Sequence, residues 1–191
     1  MNNLNNNLNN GVNLNKAQGP KAVATQKYTY ARHNLLLMIG FTVINIVLLL
    51  LSSDTMFLFS ATVPYMSAIY AQQFALVSAE LPLKELLVIV FSSVAVVSLV
   101  AYFLCWLFSK KHYGWMIVAL VLFSLDTLAM AGLYLAFGDF SGIADALVHV
   151  WVLYYLILGV INGHKLRKMP EDPQEMLAEP AYDTQDANQP S

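Results

Sequence analysis

Ionisable side chains stand inside two apolar segments of this sequence, where charged residues are rare. Asp126 lies within the run Trp115–Phe137, and Asp145 and His149 lie within the run Ile143–Asn162. Asp145 and His149 are four residues apart, which places both side chains on one face of a helix. A carboxylate in hydrocarbon is unfavourable, so such a residue is expected to face other protein groups and to have a function.

Three kinds of chemistry fit an aspartate–histidine cluster in a membrane. Histidine titrates near neutral pH, so Asp145, His149 and Asp126 would be able to relay protons. Their oxygen and nitrogen atoms would also be able to hold a cation, although the sequence does not indicate which metal. Alternatively, the histidine and a carboxylate would form the acid–base pair of an intramembrane enzyme. The structural alternative is that these groups only bond to one another and fix the register of the helices.

The helical rise of about 1.5 Å per residue gives the expected depth of each side chain. On this basis Asp126 lies about 16 Å along its helix, near the bilayer midplane, and His149 lies about 9 Å along the next one. We therefore expect a gap between them that one water or Tyr134 bridges. Asn45, midway along the first apolar run, is a further candidate for this polar trail, and Asp139 would stand at its mouth.

Four long apolar runs carry these residues: Leu35–Ser52, Leu86–Phe108, Trp115–Phe137 and Ile143–Asn162. A helix needs roughly 20 apolar residues to cross a hydrocarbon core about 30 Å thick, and each run is close to that length. The whole chain is 58% hydrophobic and only 12% charged. A soluble domain has about 45–50% apolar and about 25% charged residues. The sequence therefore predicts an all-α, four-helix transmembrane bundle.

The basic residues predict the orientation of this bundle. Only Lys84 falls between the first two runs, and the other Lys and Arg residues flank the opposite ends: Lys16, Lys21, Lys27, Arg32, Lys110, Lys111, Lys165, Arg167 and Lys168. Positive residues favour the cytosolic side of a membrane. We therefore expect a multi-pass protein of the cell membrane with cytoplasmic N- and C-termini.

A further apolar segment, residues 56–79, is uncharged and long enough to cross the membrane. A fifth crossing would move the later basic residues outside and remove the charge bias, so four crossings are favoured. Pro64 interrupts helical hydrogen bonding, which predicts a short turn or helix and then a second helix from about Pro64. We expect this segment to rest on the outer mouth of the bundle as a helical or re-entrant cap. It would serve as a lid, a docking surface or a plug over the helix ends.

The polar ends of the chain set the predicted domain boundaries. Residues 1–33 are expected to form a disordered, Asn-rich cytosolic tail, and residues 164–191 an acidic, disordered cytosolic tail. The membrane domain would span residues 34–163, with the outer cap at 53–85. Small residues are expected to let helices approach closely on two faces. These faces comprise Ser92, Ala95, Ser98 and Ala101 on the second span, and Ala129, Gly132 and Ala136 on the third.

Several functional classes lack their sequence signatures. HExxH, GxSxG and glycine-rich phosphate loops are absent from the sequence, so no motif names a reaction and no cofactor is expected. The single cysteine, Cys105, is expected to be a small buried side chain. No basic stripe with interleaved aromatics occurs, so nucleic acid is not expected as a partner. The expected partners are the lipid bilayer and either another membrane protein or a second copy of the chain.

Two segments carry a resemblance to a known group of proteins. They are SDTMFLFSATVPY, residues 53–65, and HVWVLYYLILGVINGHKLRKMPE, residues 149–171. Both resemble segments of small, uncharacterised four-span integral membrane proteins of bacteria that have no assigned activity. This resemblance implies a cell-membrane location and supplies no functional residues.

Three hypotheses of function follow from the sequence. The first is a non-enzymatic transporter or channel component, or an accessory subunit of one, with Asp126, Asp145 and His149 as its polar site. The second is a membrane-embedded enzyme that acts on lipid or peptide. The third is a structural protein that binds a membrane partner through its acidic tail or its outer cap.

Overall fold

A computed structural model provides the architecture and describes residues 19–53, 55, 57, 59–76, 83–137 and 143–169. Within these ranges the regular structure is entirely helical: α1 Pro20–Leu50, α2 Thr62–Leu76, α3 Lys84–Phe108, α4 Gly114–Phe137 and α5 Ile143–Lys168. All of these helices except α2 are long and apolar enough to cross a membrane. The predicted all-α bundle with four spans is therefore confirmed.

Helix α1 begins well before its apolar run. It starts at Pro20, and proline suits the first turn of a helix because an N–H group has no helical partner there. Residues 20–33 of the predicted N-terminal tail are helical because they pack on α5. Ala24 and Ala31 are buried on this stretch, and Tyr28 lies against Gly163 of α5. Residues 164–168 of the predicted C-terminal tail are helical as well, since α5 continues to Lys168. Residues 1–18 of the predicted N-terminal tail and 170–191 of the predicted C-terminal tail lie outside the described residues.

Two glycines on α5 produce the close contact between α1 and α5. A Cβ atom added at Gly159 would lie 2.7 Å from the Cβ of Ala31, and one added at Gly163 would lie 2.9 Å from the ring of Tyr28. The glycines are four residues apart, so they lie on one face, and this spacing allows two backbones to approach in a membrane.

The small-residue faces predicted for the second and third spans pack less closely. Ala95 of α3 is buried, but Ser92 on the same predicted face is exposed. On α4, Ala129 and Ala136 are exposed, and a Cβ atom at Gly132 would meet nothing within 4 Å. The α4 face points away from neighbouring helices because Asp126, Phe123 and Met130 turn another side of α4 inward.

A sharp turn after α1 reverses the chain. Ser52 has φ 56°, the backbone N–H of Ser53 donates to Leu48, and that of Ser52 donates to Leu49. This pairing of the last carbonyl groups is the Schellman ending, in which one residue adopts a left-handed conformation. The chain is therefore directed back along α1.

The segment after this turn enters the bundle. We call its described residues, from Ser53 to Leu76, the re-entrant segment. Phe57 bonds to Asn45 and Ala61 bonds to Thr42, so the segment descends beside the last turns of α1. Helix α2 then starts near mid-depth and returns, since the Gln72 side chain reaches the carbonyl of Leu49 near the end of α1.

The predicted helix from about Pro64 is confirmed as α2, and its start lies inside the bundle rather than over the helix ends. Hydrogen bonds to α1 and α4 hold the start of α2 inside the bundle. Along its length α2 packs chiefly on α3, where Phe91 contacts the rings of Tyr70 and Phe74. The re-entrant form of the predicted cap is the one that the chain adopts.

The end of the bundle that carries Lys110, Lys111 and Arg167 is called the basic end below. Here Arg32 of α1 donates from Nε to Ser109 Oγ at 3.0 Å and from a terminal nitrogen to the Trp106 carbonyl at 3.3 Å. The Tyr28 hydroxyl donates to the Ser109 carbonyl at 2.6 Å. These bonds satisfy carbonyl groups at the end of α3 that have no helical partner.

Candidate functional site

Asp126 lies midway along α4, twelve residues after Gly114 and eleven before Phe137. Its side chain is 1% exposed. Oδ2 accepts the backbone N–H of Thr62 at 2.8 Å, and Oδ1 accepts that of Val63 at 2.7 Å. First-turn N–H groups have no helical partner and carry partial positive charge. The carboxylate of Asp126 therefore caps the start of α2 from another helix.

His149 of α5 completes this buried cluster. Its ring is fully buried and stacks on Phe123, with centroids 5.1 Å apart and an interplanar angle of 12°. Nε2 lies 3.3 Å from Asp126 Oδ2 and 3.2 Å from the hydroxyl oxygen of Thr62. The residues from α2, α4 and α5 thus meet at one point.

The second ring nitrogen of His149 faces the start of its own helix. Nδ1 lies 3.0 Å from the backbone oxygen of Asp145 and 3.7 Å from its Oδ1. A carbonyl oxygen only accepts hydrogen bonds, so Nδ1 carries a hydrogen. Since Asp126 Oδ2 faces Nε2, that contact is attractive only when a proton lies on Nε2 or on Oδ2.

The predicted gap between Asp126 and His149 is absent. Helical rise gives the depth of a residue along its own helix, but it does not fix the offset between α4 and α5. The two side chains are in direct contact, so no bridge through Tyr134 is needed. Tyr134 is partly buried and lies eight residues further along α4. Asp139, the predicted mouth of the polar trail, lies outside the described residues.

Asp145 borders the cluster without joining its centre. Its side chain is 19% exposed, and Oδ1 is a buried atom that has no hydrogen-bond partner among the described residues. It lies in the first turn of α5, where a carboxylate is favourable beside the positive end of the helix. Asp145 therefore lies between His149 and the start of α5.

Asn45, a candidate for the polar trail, bonds to the backbone of the re-entrant segment. Its amide nitrogen donates to the carbonyl of Phe57 at 2.6 Å, and its oxygen accepts the N–H of Phe57 at 2.8 Å. One level deeper, the Thr42 hydroxyl accepts the N–H of Ala61 at 2.9 Å and donates to Met38. Both residues bind the backbone of the re-entrant segment, and the structure records no bond from Asn45 to Asp126 or His149.

The sequence prediction missed Thr42, Thr62 and Phe123. Hydroxyl and aromatic residues are ordinary in membrane helices, so their types alone carry no signal. Pro64 was the available clue for Thr62, because proline in a first turn marks the start of a helix. A helix that starts inside a bundle needs acceptors for its first N–H groups, and Asp126 is such an acceptor.

A cavity of about 270 Å³ reaches Asp126 between α3, α4 and the start of α2. Its walls include Ser98 and Tyr102 as well as Val97 and Leu125, which are 66% and 58% exposed on the outside of the bundle. His149 does not line this cavity. Asp126 is therefore the member of the pair that is approached from the lipid-facing side.

The donor set around Asp126 is poorly suited to a cation. The part of the chain that the structure describes holds no group of three or more His, Cys, Asp or Glu residues placed to bind a metal ion. The nearest neighbours of the carboxylate are the N–H groups of Thr62 and Val63, which do not coordinate cations.

Comparisons with known proteins give no relative for this chain, because no family model, curated protein or solved structure matches it.

Proposed function

We propose that this chain is a non-enzymatic protein of the cell membrane, a small transporter or channel component or an accessory subunit of one. Its termini would be cytoplasmic, as its basic residues favour. The observation that carries the proposal is a half-helix, α2, that begins at mid-depth on the Asp126–His149 pair. Transporters build ion and substrate sites around discontinuous helices of this kind.

The proposed role of the pair is to couple protonation to the position of α2. Both Asp126 oxygens accept backbone N–H groups, so a proton placed on this carboxylate would turn an O–H donor toward one of them. That O–H would face an N–H group, and one bond to Thr62 or Val63 would be lost. Acid would therefore loosen the start of α2. The cavity beside Asp126 and the Asp145 side of His149 provide two routes for the proton.

Flux measurements in reconstituted vesicles test this proposal. The purified chain is compared with Asp126→Asn and His149→Ala, and a pH dye inside the vesicles reports proton entry after an acid jump. We expect wild-type flux to exceed that of empty vesicles and both variants to lose at least about 90% of it, since each removes a member of the proton-holding pair. Asn45→Ala is the matched control, because it weakens the re-entrant segment and leaves the pair intact.

The outcomes separate function from folding. The proposal is supported if Asp126→Asn and His149→Ala lose proton flux while Asn45→Ala retains it. The two pair variants must also unfold at a temperature no lower than that of Asn45→Ala. No proton or cation flux from the wild-type chain contradicts a transport or channel role for the chain alone. If all three variants lose proton flux equally, the role of the pair is to hold the bundle together.

A membrane-embedded enzyme is the second candidate, and the 3.3 Å contact between His149 and Asp126 favours it. Acid–base catalysis requires groups within hydrogen-bond reach of a substrate. However, His149 is fully buried under Phe123 and Thr62 and does not line the cavity. Turnover of lipid or peptide substrates that is abolished by His149→Ala would select this candidate over the first.

A further inference from the structure

A second cavity, of about 550 Å³, lies at the basic end of the bundle. Its walls come from α1, α5, the start of α4 and the loop between α3 and α4. They include Tyr28, Lys110, Lys111, Tyr113, Leu166 and Arg167. The Asp126–His149 pair takes no part in this cavity, so the two sites are separate.

The walls of this basic cavity carry positive charge that the described residues do not neutralise. Lys110, Lys111 and Arg167 line it together with His112, and none of the lining residues is acidic. Within the described ranges, these three cations form no ion pair. Arg167 contacts the Tyr113 side chain, with 3.4 Å to its hydroxyl and 5.7 Å to its ring centroid.

The position of the basic cavity matches the depth of lipid headgroups. It lies where the apolar spans α4 and α5 meet their polar ends, beside Gly114 at the start of α4. The positive end of α4 adds to the attraction for an anion. Tyr113 and Trp115 stand at the same level, and such aromatic residues favour the membrane–water boundary. Leu166 gives the cavity an apolar wall.

We propose that the basic cavity binds the phosphate headgroup of an anionic phospholipid between Lys110, Lys111 and Arg167. Basic pockets between membrane helices are suited to multiply charged headgroups, and cardiolipin and phosphoinositides are the lipids with this chemistry. The lipid chains would lie on the exposed apolar surface of the bundle. A bound headgroup would join the loop between α3 and α4 to the end of α5.

Lipid binding to the full-length chain in detergent micelles tests this proposal. A fluorescent cardiolipin is titrated into wild type, the cavity variant Lys110→Gln/Lys111→Gln/Arg167→Gln and a control variant, Lys27→Gln/Lys165→Gln/Lys168→Gln. The control removes the same charge from exposed residues outside the cavity lining. We expect at least about tenfold weaker binding in the cavity variant and less than about twofold change in the control.

Three results would overturn the proposal. Equal weakening in both triple variants would mean that the lipid responds only to total charge. If millimolar inorganic phosphate displaces the lipid and binds as tightly as the lipid does, the ligand of the site is free phosphate. If wild type binds no lipid but does so after deletion of residues 170–191, the acidic tail is the occupant. The altered residues are exposed, and an unchanged unfolding temperature in each variant confirms that binding alone has been altered.

Discussion

Asn45 is the clearest case of a single side chain that binds the backbone of the re-entrant segment inside the bundle. It pairs with both the N–H and the C=O of Phe57, as a neighbouring strand would. No water is available in hydrocarbon, so irregular backbone there must find its partners within the protein. Thr42 does the same for Ala61. These two residues make the descent of the re-entrant segment beside α1 favourable.

Replacing Asn45 with alanine is expected to destabilise the bundle by about 1–3 kcal/mol, because the partly buried N–H and C=O of Phe57 lose their partner. Denaturant unfolding in one detergent measures the change. Asn34→Ala is the matched control, since that amide bonds only to the carbonyl of Tyr30 in its own helix. A change within about 0.5 kcal/mol is expected for the control. Equal effects of the two substitutions would refute the role given to Asn45.

At the residue scale, the sequence identified Asp126 and His149 because charged groups in apolar runs are rare and require partners. Their direct contact was not predictable, since the offset between α4 and α5 depends on packing. Asn45, the further candidate for the polar trail, bonds to Phe57 instead. Its actual partner is backbone from the re-entrant segment, and sequence periodicity does not show where backbone from another segment will lie.

At the scale of single elements, the contact between α1 and α5 depends on the absence of a side chain at Gly159. Gly159→Ala places a methyl group 2.7 Å from Ala31 Cβ, so the helices must separate. We expect a loss of about 1–3 kcal/mol of stability. Gly40→Ala on α1 is the control, because nothing lies within 4 Å of its added Cβ. The midpoint of thermal unfolding should be lower than that of wild type for Gly159→Ala, and equal to it or higher for Gly40→Ala.

The turn that ends α1 offers a second test at this scale. Ser52 has a positive φ, which glycine adopts without the clash of a Cβ atom. Ser52→Gly is expected to stabilise the protein by roughly 0.5–1 kcal/mol, and Ser52→Val to destabilise it by at least about 1 kcal/mol. Denaturant midpoints of the two variants would be compared with wild type. The opposite order would show that the left-handed turn is not formed.

The ends of the helices match the sequence prediction only where hydropathy determines them. Helices α3 and α4 begin and end close to their apolar runs. In contrast, α1 starts back at Pro20, with contacts such as Tyr28 to Gly163, and α5 continues to Lys168, beyond the end of its run at Asn162. The close glycine contact on α5 was also missed. Small residues are frequent in all these helices, and only the fold determines which of them meet.

At the scale of the whole molecule, α2 is a wedge that touches α1, α3 and α4 without crossing the bundle. The count of four spans was predictable from hydropathy and the charge bias. The depth of α2 was not, because three side chains from two other helices set it: Thr42, Asn45 and Asp126. The bundle is therefore organised around a half-helix that begins on the buried Asp126–His149 pair.

The capping of α2 by Asp126 is the claim on which the functional proposal depends. It predicts that Asp126→Asn weakens the hydrogen bonds of the first α2 amides, since a neutral amide offers one acceptor oxygen in place of two. Thr127→Val is the matched control on α4, because the Thr127 hydroxyl donates to the Phe123 carbonyl in its own helix.

Amide hydrogen exchange at Thr62 and Val63, measured by NMR in one detergent, tests this claim most directly. We expect at least about tenfold faster exchange of both amides in Asp126→Asn than in wild type or Thr127→Val. Exchange in α5 near Gly159 should stay unchanged. Equal exchange of Thr62 and Val63 in Asp126→Asn and wild type would contradict the account.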